Sequence, residues 1–152
     1  MNIAEPRQRA WRLTSEKSHE LAPPLERAEQ AVVMDWANLE SRKWPELRML
    51  FAVPNGEKRA ETTAALLKRQ GVKPGVPDLL LPIARAGFIG LAIEMKRKPN
   101  KPTDLQQAWL DNLMSHGWFA VVCYSAAEAI EVLRKYVSAR PTIIGPARVV
   151  RE

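Results

Sequence analysis

The sequence predicts a single α/β domain built on a mixed sheet with helices on its faces, and three observations lead there. At 152 residues with 46% apolar content, the chain matches one ordinary domain with one sizeable core. Helical and strand-like periodicities alternate in the order α β α β β α β α, which is the pattern of a sheet packed against helices. Two apolar strands in the middle are joined by the small-residue turn "ARAG", so a hairpin forms the sheet's nucleus.

Residues 1–24 mix charges with little periodicity and end in "APP", which reads as an N-terminal arm ahead of a domain spanning residues 25–139. From Leu25 to about Arg42, Leu25, Ala28, Val32, Val33, Trp36 and Leu39 recur every three or four residues and mark an amphipathic helix. "RMLFAVPN", Arg48 to Asn55, reads as a strand stopped by "PNG", and "EKRAETTAALLKRQG" as a helix ending at Gly71. The hairpin strands are Asp78 to Pro82 and Phe88 to Lys96. Pro82 cannot donate to a ladder, so it belongs at a strand end, a bulge or an edge. "TDLQQAWLDNLMSHG" is a helix, "WFAVVCY" a strand apolar on both faces and therefore buried, and "AAEAIEVLRKYV" a last helix with Ala126, Ile130, Leu133 and Val137 on one side. The tail, residues 140–152, is open to three readings: an edge strand, a dimer contact or a basic extension.

Charge and composition narrow the function. Lys and Arg number 23 against 17 Asp and Glu, a net charge of +6, which suits a polyanionic partner. The single cysteine, Cys123, lies in an apolar run and reads as core filler, so no oxidising compartment is needed. Neither a signal-peptide h-region nor a window approaching roughly 18 apolar residues is present, and an intracellular, cytoplasmic protein without membrane contact is expected. "GVKPG" is too short for a phosphate-binding glycine loop, which counts against a nucleotide-dependent small-molecule enzyme.

The charges inside the apolar segments carry the chemistry. With the turn centred on Ala86, Asp78 and Glu94 each lie eight positions away, so a regular register sets them opposite one another. Glu94 and Lys96 share a face about 6.8 Å apart, while Met95 points the other way. Opposed carboxylates repel unless a proton or cation intervenes. A few carboxylates with room for water fit Mg²⁺, with Mn²⁺ as a substitute, whereas two His and one Cys give little support to zinc. Glu29 falls within the apolar stripe of the first helix and needs a cation, a donor or a wet cleft. Gln106 points from its helix alongside Trp109 and Leu110, though "TDLQ" equally fits a capping box with Thr103 as N-cap.

"PNG", "GVPDLLL", "IEMK" and "QQAWLDNLMSHGWFAVVC" together resemble the VRR-NUC family of the PD-(D/E)XK nuclease superfamily, over roughly Leu25 to Tyr136. The resemblance implies a restriction-endonuclease-like domain that hydrolyses DNA phosphodiesters. It implies that Asp78, Glu94 and the Met95 carbonyl bind the metal, and that Glu29 completes the acidic site at a second metal position or through water. Lys96 would orient or deprotonate the attacking water, and Gln106 would support the water or the phosphate. Lys58, Arg59, Lys73, Arg97, Lys98 and Lys101 flank this centre and are expected to grip DNA phosphates. Relatives of this size imply a branched DNA substrate, four-way junction or flap, and a possible homodimer. The alternatives are a less selective DNase or nickase using the same site, and a catalytically silent nucleic-acid-binding module.

Overall fold

The computed structural model describes residues 26–54 and 61–143. Its elements are α1 (Glu26–Glu40), a 3₁₀ turn (Pro45–Met49), β1 (Phe51–Ala52), α2 (Glu61–Arg69), β2 (Leu79–Leu81), β3 (Leu91–Met95), α3 (Asp104–Ser115), β4 (Phe119–Cys123) and α4 (Ala126–Ser138). The four strands form one mixed sheet in the order β1-β2-β3-β4, antiparallel up to β3 and parallel between β3 and β4. The element order is the one expected from the sequence, within an α/β sheet flanked by helices.

One sheet face makes the core. Leu79, Leu81, Leu91, Ile93, Met95, Phe119 and Cys123 point to it and pack against Val33 and Ala37 of α1 and Ala129, Val132, Leu133 and Tyr136 of α4. Because side chains alternate along a strand, Leu80, Ala92, Glu94, Ala120 and Val122 point to the opposite face. There α3 lies over β3 and β4, burying Leu110.

The hairpin closes through Ala86 and Gly87, both at positive φ (54° and 85°), as a two-residue I′-type loop requires. Arg85 and Phe88 exchange both backbone hydrogen bonds around it. That places the turn half a residue later than expected. The register at the strands nevertheless pairs Leu79 with Ile93 and Leu81 with Leu91. One extra residue on the Pro82 side of the hairpin restores it, where the Ile83 amide bonds back to the Leu81 carbonyl.

Three local expectations are corrected by packing. Residues Arg48 and Met49 belong to the 3₁₀ turn, because Pro45 starts a helical turn at its first position and leaves only Phe51–Ala52 for the strand. In α1 the buried face is Val33 and Ala37, whereas Val32 and Leu39 are 51% and 79% exposed and Ala28 is exposed too. Val33 and Ala37 face the core with Met34 and Trp36 packed at its side, so the helix turns Val32 and Leu39 toward solvent. β4 is the last strand in the sheet order, and although α3 and α4 both contact it, Ala120, Val121 and Val122 stay half-buried and only Phe119 and Cys123 are buried.

Residues 140–142 lie beside the hairpin turn: Ala86 donates to the Arg140 carbonyl, Pro141 bridges Arg85, and Thr142 Oγ1 donates to the Phe88 carbonyl. The arm expected over residues 1–24 and the tail from residue 144 lie outside the described residues.

Candidate active site

Pro77 and Asp78 enter the sheet at one end of β2, and β3 passes beside them to its own end at Met95. Extending the observed register by one step sets Asp78 opposite Glu94, and by two steps sets Pro77 opposite Met95. The second pairing has a chemical consequence. Proline has no N–H, so Pro77 cannot donate to the Met95 carbonyl where the ladder would otherwise continue. The Met95 amide turns instead to Asp78, donating to Oδ2 at 2.8 Å. A carboxylate and a backbone carbonyl are thereby left side by side at the strand end.

Glu94 is 0% exposed. Lys96 Nζ stands 2.9 Å from its Oε1, and apart from that ion pair neither carboxylate oxygen meets a donor among the described residues. Burial raises the Glu94 carboxyl to about 7, with Lys96 working against the shift and the negative charges of Asp78 and Glu26 adding to it. Burial disfavours the charge on Lys96, but Glu94, Glu26 and Asp78 outweigh it and hold the ammonium above the ordinary lysine range. Without metal, Lys96 is therefore held as a cation beside Glu94.

A carboxyl raised in this way makes the fold pH-dependent. Between its ordinary value of 4.5 and about 7, the native state holds a proton that the unfolded state releases. Stability in EDTA should thus fall as pH rises through that window, by at most about 1.4 kcal/mol per pH unit from this group. Urea titrations from pH 4.5 to 8 should show the slope in the native protein and its loss in Glu94→Gln. An unchanged slope in the variant would assign it to other groups.

The remaining expected residues are placed as follows. Glu29 does face inward, in line with Val33 and Ala37, but its Oε2 accepts a short hydrogen bond from the Ala126 amide at the start of α4. It meets a helix N-terminus, where a carboxylate is favoured. The acid that α1 brings beside the site is Glu26, one turn earlier: its Oε1 accepts from the Arg97 amide at 3.1 Å, and its charge acts on both Glu94 and Lys96. "ERAEQ" carries two acids one turn apart: Glu26 is the one whose charge acts on Glu94 and Lys96, and Glu29 meets the donor that its place in the apolar stripe calls for. Gln106 closes the capping box, its Oε1 accepting from the Thr103 amide at 2.9 Å while Thr103 Oγ1 accepts from the Gln106 amide. Lys73, Lys98 and Lys101 are exposed and Arg97 is half-buried, whereas Lys58 and Arg59 lie outside the described residues.

Trp109, in the motif that follows Gln106, ties α3 to the loop that carries Asp78. Its indole N–H donates to the Pro74 carbonyl at 3.1 Å. Gly75 makes this approach possible, since at φ +82° a Cβ would lie 2.9 Å from the Leu105 backbone. Gly75→Ala should cost about 2 kcal/mol from strain and contact, lowering Tm by roughly 4–8 °C. Differential scanning calorimetry checks this, and a Tm within 1 °C of the parent's, to about that precision, would refute it.

Among the described residues no three of His, Cys, Asp and Glu gather as a ready metal cage. A divalent ion would draw on Asp78, Glu94, the Met95 carbonyl and water. A buried carboxylate met among the described residues only by Lys96, and an all-oxygen donor set, fit a hard cation.

A structure described as a VRR_NUC domain protein is similar to this one, with a TM-score of 0.65 and 32% identity over 76% of this chain and 90% of that chain. The family model for the VRR-NUC domain matches residues 15–127. The chain belongs to the VRR-NUC domain family. No curated protein matches it. The VRR-NUC domain is of nuclease type, and the match takes in Asp78, Glu94, Lys96, Gln106 and both acids of "ERAEQ". Among the described residues of this VRR-NUC domain, no helix is long and apolar enough to cross a membrane.

Proposed function

We propose that the protein is a Mg²⁺-dependent DNA endonuclease that cleaves phosphodiester bonds in branched DNA, four-way junctions or flaps, with Mn²⁺ as a substitute. One observation carries the reading: a fully buried Glu94, its oxygens met among the described residues only by Lys96, lies opposite Asp78 at the strand end where Pro77 leaves the Met95 carbonyl without a ladder donor. Asp78, Glu94 and the Met95 carbonyl would hold the ion, with Glu26 the nearby acid able to act through water. Glu29, committed to the start of α4, is read as supporting the fold beside the site.

When bound, the metal supplies an acidified water and neutralises charge on the phosphate. Lys96, charged and on the same face as Glu94, orients the water and stabilises the phosphate as a point charge. Gln106 holds its carbonyl in the capping box and offers its amide nitrogen to the water or the phosphate. Arg97, Lys98, Lys101 and Lys73, with Lys58 and Arg59 earlier in the chain, grip the backbone, so affinity falls steeply with salt. A homodimer would present two such centres to opposed strands of a junction.

The test is cleavage of labelled duplex, single strand, 5′ flap, 3′ flap and four-way junction, in Mg²⁺ and in EDTA. Paired symmetric cuts in the junction support a dimeric resolving activity, and cuts confined to flaps support a flap nuclease. Equal cleavage of unbranched duplex leaves a less selective nuclease. Binding without metal-dependent cleavage of any substrate rejects the enzyme reading.

A further inference from the structure

The strand neighbours of Lys96 decide what a nucleotide at the site would touch. The Lys96 amide donates to the Cys123 carbonyl at 2.9 Å, so the parallel register of β3 and β4 runs on past Met95 and Cys123 and places Tyr124 beside Lys96. Cys123 points into the core, and alternation turns Tyr124 to the face that carries Glu94 and Lys96. Adjacent strands lie roughly 4.8 Å apart, which is within one nucleotide of the lysine.

The backbone of Tyr124 is held by the start of α4. The Tyr124 amide donates to Glu128 Oε2 at 2.7 Å, while the Glu128 amide donates to the N-cap Ser125 Oγ at 3.1 Å. Lys98, on the segment leaving β3, sets its Nζ 5.8 Å from the centre of the Tyr124 ring. Across the strand ends the order is thus Asp78, then Glu94 with Lys96, then a half-buried aromatic ring bearing an exposed cation.

We propose that Tyr124 and Lys98 form a nucleotide subsite next to the scissile phosphate, the ring stacking on an unpaired base and Lys98 meeting the adjoining phosphate. This rests on the nuclease reading and adds a source of substrate choice to it. A base inside a duplex has both faces covered and must be unstacked to reach a ring, whereas a base at a branch point exposes a face already. Stacking is indifferent to base identity, so the subsite selects DNA structure and not sequence. The tyrosine hydroxyl has no part in it.

The experiment places 2-aminopurine at the unpaired branch-point nucleotide of a flap and follows its fluorescence on binding to Asp78→Asn protein, with and without Tyr124→Ala. Steady-state cleavage by otherwise unaltered protein is measured for Tyr124→Ala, Tyr124→Phe and Lys98→Ala on branched and fully paired DNA. Tyr124 should quench the probe and Tyr124→Ala should abolish the quench. KM for branched DNA should rise roughly 5- to 160-fold in Tyr124→Ala, the range of one base stacked on an aromatic ring, and Tyr124→Phe should restore it. Quenching that survives Tyr124→Ala, or a KM that rises equally for branched and paired DNA, would overturn the subsite while leaving the nuclease intact. If the parent protein cleaves nothing, the nuclease reading fails, and the quench alone still decides whether Tyr124 stacks a base.

Discussion

Asp78→Asn should lower cleavage about 1,000-fold or more at saturating Mg²⁺ while leaving DNA affinity within about threefold, because removing one charged metal ligand forfeits several kcal/mol of transition-state stabilisation. The substitution is a clean one. Asp78 Oδ2 accepts the Met95 amide at 2.8 Å, and an asparagine carbonyl accepts the same bond, so the strand end keeps its shape. What changes is the charge facing Glu94. With one carboxylate fewer beside it, Glu94 should titrate lower, so the metal-free variant should be no less stable than the parent at neutral pH. Cleavage assays with fluorescence-anisotropy binding separate the two effects. Retained cleavage, within about tenfold of the parent, would remove Asp78 from the metal site and with it the proposed mechanism.

Lys96→Met should act on stability as well as on chemistry. Glu94 is wholly buried and Lys96 is the only ion-pair partner it has among the described residues. Methionine preserves the apolar stem but leaves a buried carboxylate uncompensated, a defect that typically costs about 3–5 kcal/mol while the group is ionised. In EDTA at pH 8 the variant should therefore melt well below the parent. Lowering the pH toward 5 should recover most of the loss, since a protonated Glu94 needs no counter-charge. Mg²⁺ should also recover stability, because an ion bound only by the native state shifts unfolding by mass action. Cleavage should stay at least about 100-fold down even then, since the charge that orients water and meets the phosphate is gone. Equal melting of parent and variant in EDTA at pH 8 would mean that Glu94 is not charged in the metal-free fold.

The hairpin shows how far local rules reach. Counting eight residues either way from the small-residue turn set Asp78 opposite Glu94, and the sheet has that register. The count worked through a compensation: the loop centre sits half a residue late and the extra residue at Pro82 corrects it. The Thr103–Gln106 capping box was equally legible, because both partners lie within one helical turn. Gln106 thereby takes the structural role that its sequence context allowed, and any contact with substrate must come from its remaining amide nitrogen.

What a sequence states directly is short in range. Periodicity and turn chemistry determined the element order, the hairpin and the side of β3 on which Glu94 and Lys96 lie, since each depends on neighbours a few residues apart. Tertiary structure alone decided which acid of α1 approaches the site. Glu26 and Glu29 lie about 60° apart around one helix, and a modest rotation exchanges them. Here α1 packs on α4 with Val33 and Ala37 inward, and Glu29, in line with them, reaches the Ala126 amide some hundred positions away along the chain. The Pro77–Met95 and Lys96–Tyr124 pairings belong to the same class. Both arise where strands distant in sequence run past their last ladder bonds, a juxtaposition that no local pattern encodes.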